Sequence, residues 1–147
     1  MIANGAYELK SLEKSTPHEK TRSAHKLETT EDYLEAIADA IESKGVCRSA
    51  DLAKRFAVSA VTVHKIVDRL RAASLVMGEP YQPITLTDEG RSIATRSKER
   101  HRIVFDFLVA MGLDEATAAI DSEGMEHHVS PKTLEKLRAF THRRRQG

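Results

Sequence analysis

Between Ser49 and Arg71 the apolar residues are spaced for two short helices that meet near a right angle, and this pattern limits the fold more than any other stretch. Leu52 and Phe56 mark the inner face of one helix, capped by Ser49 and running to about Phe56. Val63 and Ile66 mark the inner face of the next, from about Ala60 to Ala73. Ala53 is small enough to let the second helix come close, and Val58 closes the corner from the turn Ala57-Val58-Ser59. Ala57 takes the turn position usually given to glycine, which predicts strain if its φ is positive. Leu75-Val76-Met77 and Ile84-Thr85-Leu86 then flank the turn-rich segment Gly78-Glu79-Pro80-Tyr81-Gln82-Pro83, the signature of a β-hairpin. A helix-turn-helix followed by a two-stranded hairpin is a winged helix. The bland alternative is a three-helix core with no role in nucleic-acid binding.

The formal net charge of +1 does not mark a nucleic-acid binder, so any DNA footprint must be local. Lys44, Arg48, Lys54, Arg55, Lys65, Arg69 and Arg71 face only Asp51 and Asp68 in that region, a surface suited to neutralising phosphates. A charge excess alone also fits a solvated helix face. The expected exposed residues of the second helix are Ser59, Ala60, Thr62, His64, Lys65 and Arg69. Its first residues would meet base edges in the major groove, and Lys65 and Arg69 would reach phosphates. Of the carboxylates and thiols, only Asp68 stands at helical spacing from His64, which favours a DNA-facing or plain surface role over metal ligation.

Around this unit the chain reads as helices. Residues 1–28 are polar with no sustained apolar period and are expected to be a flexible N-terminal tail. Thr29-Thr30-Glu31-Asp32 has the features of a helix start, Leu34, Ile37, Ala38 and Ile41 give that helix an apolar face, and Gly45 ends it. Thr87-Asp88-Glu89 opens a long helix to roughly Met111, whose later part is apolar on more than one face and needs partners. Two more helices are expected over 114–128 and 131–143, the second with Ser130-Pro131 as cap and first residue. The predicted class is mostly α: a winged helix-turn-helix DNA-binding domain over 29–90, and a helical dimerisation and metal-binding domain over 91–147.

Within the second domain, Glu123, Glu126 and His127 stand at i, i+3 and i+4, so a continuous helix would carry all three on one face. Two carboxylates and an imidazole suit Mn, Fe, Co or Zn as divalent ions. Asp32 and Glu35 share a face of the first helix, and His101 lies between these groups in sequence. Taken alone, the two acids also suit the dipole of a helix start, and His101 also suits a charged surface.

These residues carry a family resemblance over about Thr29 to Phe140. Thr30-Glu31-Asp32-Tyr33-Leu34-Glu35, Thr62-Val63-His64-Lys65 with Arg69-Leu70, Leu86-Thr87-Asp88-Glu89-Gly90, Arg100-His101 and Glu123-Gly124-Met125-Glu126-His127-His128 resemble the diphtheria-toxin-repressor (DtxR)-like metalloregulators, and most of all their manganese transport regulator branch. The resemblance implies Asp32, Glu35, His101, Glu123, Glu126 and His127 as metal ligands. It also implies Mn2+, since iron-responsive members place Met and Cys where this chain has Asp32 and Glu123, and carboxylates suit the harder ion. Four carboxylates balance two divalent ions, so two Mn2+ per subunit are expected, with Fe2+ as the alternative. With the sequence read to Gly147, the extra β-rich domain of the iron-responsive branch is not expected.

The resulting expectation is a homodimeric, non-enzymatic repressor of metal-uptake genes that binds operator DNA when metal is bound. A metal-dependent hydrolase, a winged-helix regulator that answers to an organic ligand, and an Fe2+- or Zn2+-responsive regulator of the same fold remain as rivals, though no small organic ligand is expected. Cys47 is the only cysteine and can form no internal disulfide; no apolar run is long enough for a membrane span, and a cytoplasmic protein without a membrane partner is expected.

Overall fold

The computed structural model describes residues 16–147. Helix α1 spans Pro17–Lys44, twelve residues longer at its start than the sequence reading placed it. Its cap is Thr16, whose hydroxyl accepts from the Glu19 amide while the Glu19 carboxylate accepts from the Thr16 amide, with Pro17 as first residue. Thr29 and Thr30 lie inside the helix, and their hydroxyls donate to the carbonyls of His25 and Lys26 four residues back. The expected tail is therefore helical over 17–28, and its first fifteen residues lie outside the described ones. Those early turns are mostly exposed, which is why they show no apolar period.

Helix α2 (Ser49–Phe56) and helix α3 (Ala60–Ala72) form the helix-turn-helix. Ser49 is the first residue of α2, not its cap. Arg48 precedes it, donating its amide to the Asp51 carboxylate at 2.9 Å. The corner residue Ala57 is left-handed, with φ 51° and ψ 46°. Strands β1 (Val76–Met77) and β2 (Thr85–Leu86) pair antiparallel, Val76 opposite Leu86, and Cys47 bridges to Ile84 at the sheet edge. Burial pushes the Cys47 thiol up to about 11, so it serves as a packing residue.

Helix α4 (Asp88–Met111) is capped by Thr87 and ends on the left-handed Gly112. Its third residue, Gly90, lies so close to β1 that a Cβ there would overlap the carbonyl oxygen of Leu75. Helix α5 (Glu115–Met125) is shorter than the expected 114–128 helix, because the chain tightens into a 3-10 turn at Glu126–His128. Helix α6 (Pro131–Gln146) completes the chain, capped by Ser130 and helical three residues beyond the predicted end.

Two apolar clusters lie on either side of this frame. The first joins α1, the helix-turn-helix and the wing through Leu34, Ile37, Leu52, Val63, Leu70, Val76 and Ala94. Tyr33 stacks on Phe56 with centroids 4.3 Å apart, which ties α1 to α2. The second joins α4, α5 and α6 around Val104, Leu108 and Ala118. Helix α4 contributes to both, and α1 and the 3-10 turn meet across it.

Candidate metal centre and nucleic-acid interface

The 3-10 turn separates what a continuous helix would have kept on one stripe. Glu123, on the last turn of α5, keeps 69 % of its side chain exposed, whereas Glu126 and His127 are buried. Five of the six residues read from the sequence fall into two donor groups, one of them completed by Glu28, and the sixth, Glu35, lies beside them. One oxygen or nitrogen each from His101, Glu123 and Glu126 lie within 4.8 Å of one another, and so do those of Glu28, Asp32 and His127. Glu126 stands between the groups, one oxygen 3.5 Å from His101 Nδ1 and the other 3.5 Å from His127 Nε2. Glu35 accepts from the buried Ser97 hydroxyl and lies near enough to Asp32, Glu123 and His101 to feel their charges. Burial, then the carboxylates of Asp32 and Glu123, hold Glu35 above its ordinary range against that hydrogen bond.

His127 is fixed by residues the sequence reading missed. Its Nδ1 lies 2.6 Å from Oε2 of the buried Glu31, and Arg100 lies 2.5 Å from the same oxygen. Burial alone would push Glu31 up, but His127 and Arg100 outweigh it and hold the carboxyl below its ordinary range. Ionised Glu31 can only accept, so Nδ1 carries the proton and donates. A histidine held this way turns Nε2 toward the cleft, the arrangement that orients metal-ligating imidazoles. Glu31 had looked like one more first-turn acid; its partners are distant in sequence, so no spacing could have revealed them.

The cleft calls for positive charge. Among the described residues, His127 Nε2 and Glu126 Oε2 are buried without a hydrogen-bond partner. Nε2 lies 3.0 Å from Asp32 Oδ1 but is too oblique for a hydrogen bond. Burial, then the nearby Glu35 carboxylate, raises Glu126 to about 8. Burial would lower His127, but Asp32 and Glu31 outweigh it and raise it to about 10. Without an ion, protons supply the missing charge. A divalent cation meets the same need with oxygen and imidazole donors, so the residues present fit a metal of that class.

The expected DNA-facing residues divide differently. Ala60 and Lys65 are exposed on α3, while Thr62, His64 and Arg69 are half-buried. The Ser59 hydroxyl accepts from the Thr62 amide, so it caps the helix, which leaves it less free to read bases. Val61 is 63 % exposed beside the exposed Ala60, a position that the sequence reading did not consider. The wing adds Tyr81, 89 % exposed, edge-on to His64 at 6.1 Å. Arg71 donates to the Gly78 carbonyl at 2.8 Å and so tethers the wing to α3.

Sequence comparison agrees with this two-part architecture. Residues 26–84 match the model of the iron-dependent repressor N-terminal DNA-binding domain, and residues 87–146 that of the iron-dependent repressor metal-binding and dimerisation domain. The transcriptional regulator MntR of Escherichia coli O157:H7 is 43 % identical over 122 residues, covering 83 % of this chain and 79 % of the relative. The HTH-type transcriptional regulator MntR of Bacillus subtilis is 36 % identical over 107 residues, 73 % of this chain and 75 % of the relative. A solved manganese-dependent transcriptional repressor in complex with manganese superposes with a TM-score of 0.70 at 32 % identity, over 77 % of this chain. The chain spans about half the length of that solved protein (52 %). With both family domains matched in order and full-length regulators aligned across them, this chain belongs to the DtxR-like iron-dependent repressor family of transcriptional regulators, in its MntR branch.

Proposed function

We propose that this chain is a manganese-responsive, DNA-binding repressor of metal-uptake genes. The observation that carries this reading is the meeting of Asp32 and Glu35, on the helix that packs against the helix-turn-helix, with the buried, unsatisfied Glu126 and His127 of the other half. Two relatives are MntR regulators and a third is a manganese-dependent repressor. Asp32, Glu35, His101, Glu123, Glu126 and His127 are the proposed ligands, for two Mn2+ per subunit, with Fe2+ as the competing ion. A bound divalent ion supplies the charge that joins carboxylates of the two halves. Glu31 and Arg100 orient His127, and Ser97 orients Glu35. Ala60, Thr62, His64, Lys65 and Arg69 form the proposed DNA surface, with Ser59 capping it and Val61 and Tyr81 added by their exposure. Met111, Ile120, Met125 and Phe140 are exposed apolar residues of the second half, and this face is proposed to join two copies into the dimer that paired half-sites require.

The test is a gel-shift titration on DNA fragments that the protein selects from a random pool with Mn2+ present. Affinity is expected to rise with Mn2+ and to collapse on adding EDTA. Equal affinity in both conditions would overturn the reading.

A further inference from the structure

We propose that Glu28 is a seventh metal ligand, joining Asp32 and His127 at an outer cation site in addition to the six proposed ligands. The proposal rests on reading the cleft as a metal centre and assigns a further donor in it. Glu28 lies one turn before Asp32 on α1, so the i and i+4 carboxylates share a face. A carboxylate oxygen from each, with a ring nitrogen of His127, makes a triangle with no side above 4.8 Å.

The second observation is the state of His127. Its side chain is fully buried, Nδ1 is committed to Glu31, and Nε2 has no hydrogen-bond partner among the described residues. Nε2 lies 3.0 Å from Asp32 Oδ1, out of line for a hydrogen bond, so once the ring gives up its Nε2 proton two electron-pair donors stand side by side. Such a pair is stabilised by a cation that both can reach, and Glu28 supplies the third donor from the solvent side. Glu28 and Asp32 with a neutral imidazole balance one divalent ion, and counting Glu35 the cluster then offers five carboxylates to two ions, one net negative charge in excess. The inner group, His101 with Glu123 and Glu126, is then free to hold another. His128 also faces Glu28, with Nε2 3.6 Å from Oε2, but half of its side chain is exposed and it competes weakly for that carboxylate.

Three features of α1 follow from this placement. The helix continues past the Thr29 start that the sequence suggested, the added turns are exposed and bury little, and their last residue, Glu28, enters the cleft. The extension therefore contributes a donor more than it contributes core.

The experiment uses the intact, metal-stripped chain with Mn2+ alone, followed by calorimetry and by electron paramagnetic resonance of free Mn2+. Glu28→Gln removes the charge. Glu28→Asp keeps the charge and shortens the reach by one methylene. In wild type two binding steps are expected. In both variants the weaker step should lose about 100-fold in affinity, the tighter step should hold, and circular dichroism should show the same helix content. Unchanged weak binding in Glu28→Gln overturns the proposal. Wild-type affinity in Glu28→Asp also overturns it, since charge without contact would then suffice. A wild-type chain that takes one ion, unaffected by either change, overturns it as well. A wild-type chain that takes no Mn2+ overturns the metal reading of the whole cleft, a result distinguishable from the others.

Discussion

Mn2+ binding should release protons, and the number follows from two buried side chains. The perturbation is a change of pH from 7 to 6. Burial and Glu35 raise Glu126 to about 8, and Asp32 with Glu31 raise His127 to about 10 against its burial. Both groups therefore hold a proton at pH 7 in the metal-free chain. Both must give it up to offer a lone pair to an ion, so acid competes with metal. With both protonated, filling the site should release about two protons per subunit, and the logarithm of affinity should rise by about two per pH unit. From pH 7 to pH 6 the expected loss is about 100-fold, or about 2.7 kcal/mol. Above pH 8 only His127 still competes, and the slope should fall toward about one. Calorimetry in two buffers with different heats of ionisation counts the protons directly, and titrations at several pH values give the slope. A pH-independent affinity between 6 and 7.5, with no proton release, would refute the charge state assigned to this cleft. The same shifts govern folding of the chelated protein. Each group has a folded value above its unfolded one, so each stabilises in acid and loses that contribution as pH rises, from 4.5 to about 8 for Glu126 and from 6.5 to about 10 for His127. The Tm of the chelated protein should therefore fall between pH 6.5 and 9, and Mn2+ should restore it.

Gly90→Ala should destabilise the protein by about 3 kcal/mol in urea denaturation, because the new methyl group overlaps backbone that cannot rotate away; loss of less than about 1 kcal/mol would mean that β1 shifts freely. Ala57→Gly should do the reverse, raising stability by about 0.5 kcal/mol as relief of the left-handed strain exceeds the extra entropy of the unfolded chain. Lys65→Ala should weaken binding to every DNA sequence and flatten the salt dependence by about one unit of slope. An unaltered slope would remove Lys65 from the phosphate contacts.

The helix-turn-helix, wing and long fourth helix were legible because local signals agreed with the tertiary fold. Ser59, Thr87 and Ser130 cap their helices as hydroxyl residues should, and Gly45 and Gly112 end theirs in the left-handed region. The start of α1 was misplaced because Thr29-Thr30-Glu31 imitates a cap, while the true signal, Thr16-Pro17-His18-Glu19, stands in front of turns with no apolar stripe. That error hid Glu28, which has helical spacing from Asp32 only if the helix starts earlier. The tightening at Glu126 was also illegible, since an i, i+3, i+4 pattern looks the same until the last turn is seen to be 3-10. Glu31 shows a different limit. Its role depends on Arg100 and His127, which only the packing of α1 against α4 and the 3-10 turn brings to it.

That packing also sets the scale of the coupling between metal and DNA. Helix α1 carries Asp32 and Glu35 on one face and stacks Tyr33 on Phe56 of the helix-turn-helix, so an ion bound between α1 and the 3-10 turn, as proposed, would constrain how the reading helix is presented. The two halves are not free of each other without the ion, however. Glu31 of α1 already grips His127 of the turn and Arg100 of α4, both at buried or half-buried positions. The ion therefore does not assemble a disordered site. It would replace the protons that otherwise balance the cluster, and would narrow the range of a joint that is already formed. A metal can favour DNA binding only by its difference in affinity for the competent and less competent arrangements. With the frame preformed that difference is modest, within the range of about 1–3 kcal/mol typical of coupled sites. Reciprocity then requires bound operator to tighten metal binding by the same factor, so the operator complex would fill with metal at a lower free concentration than the free protein does.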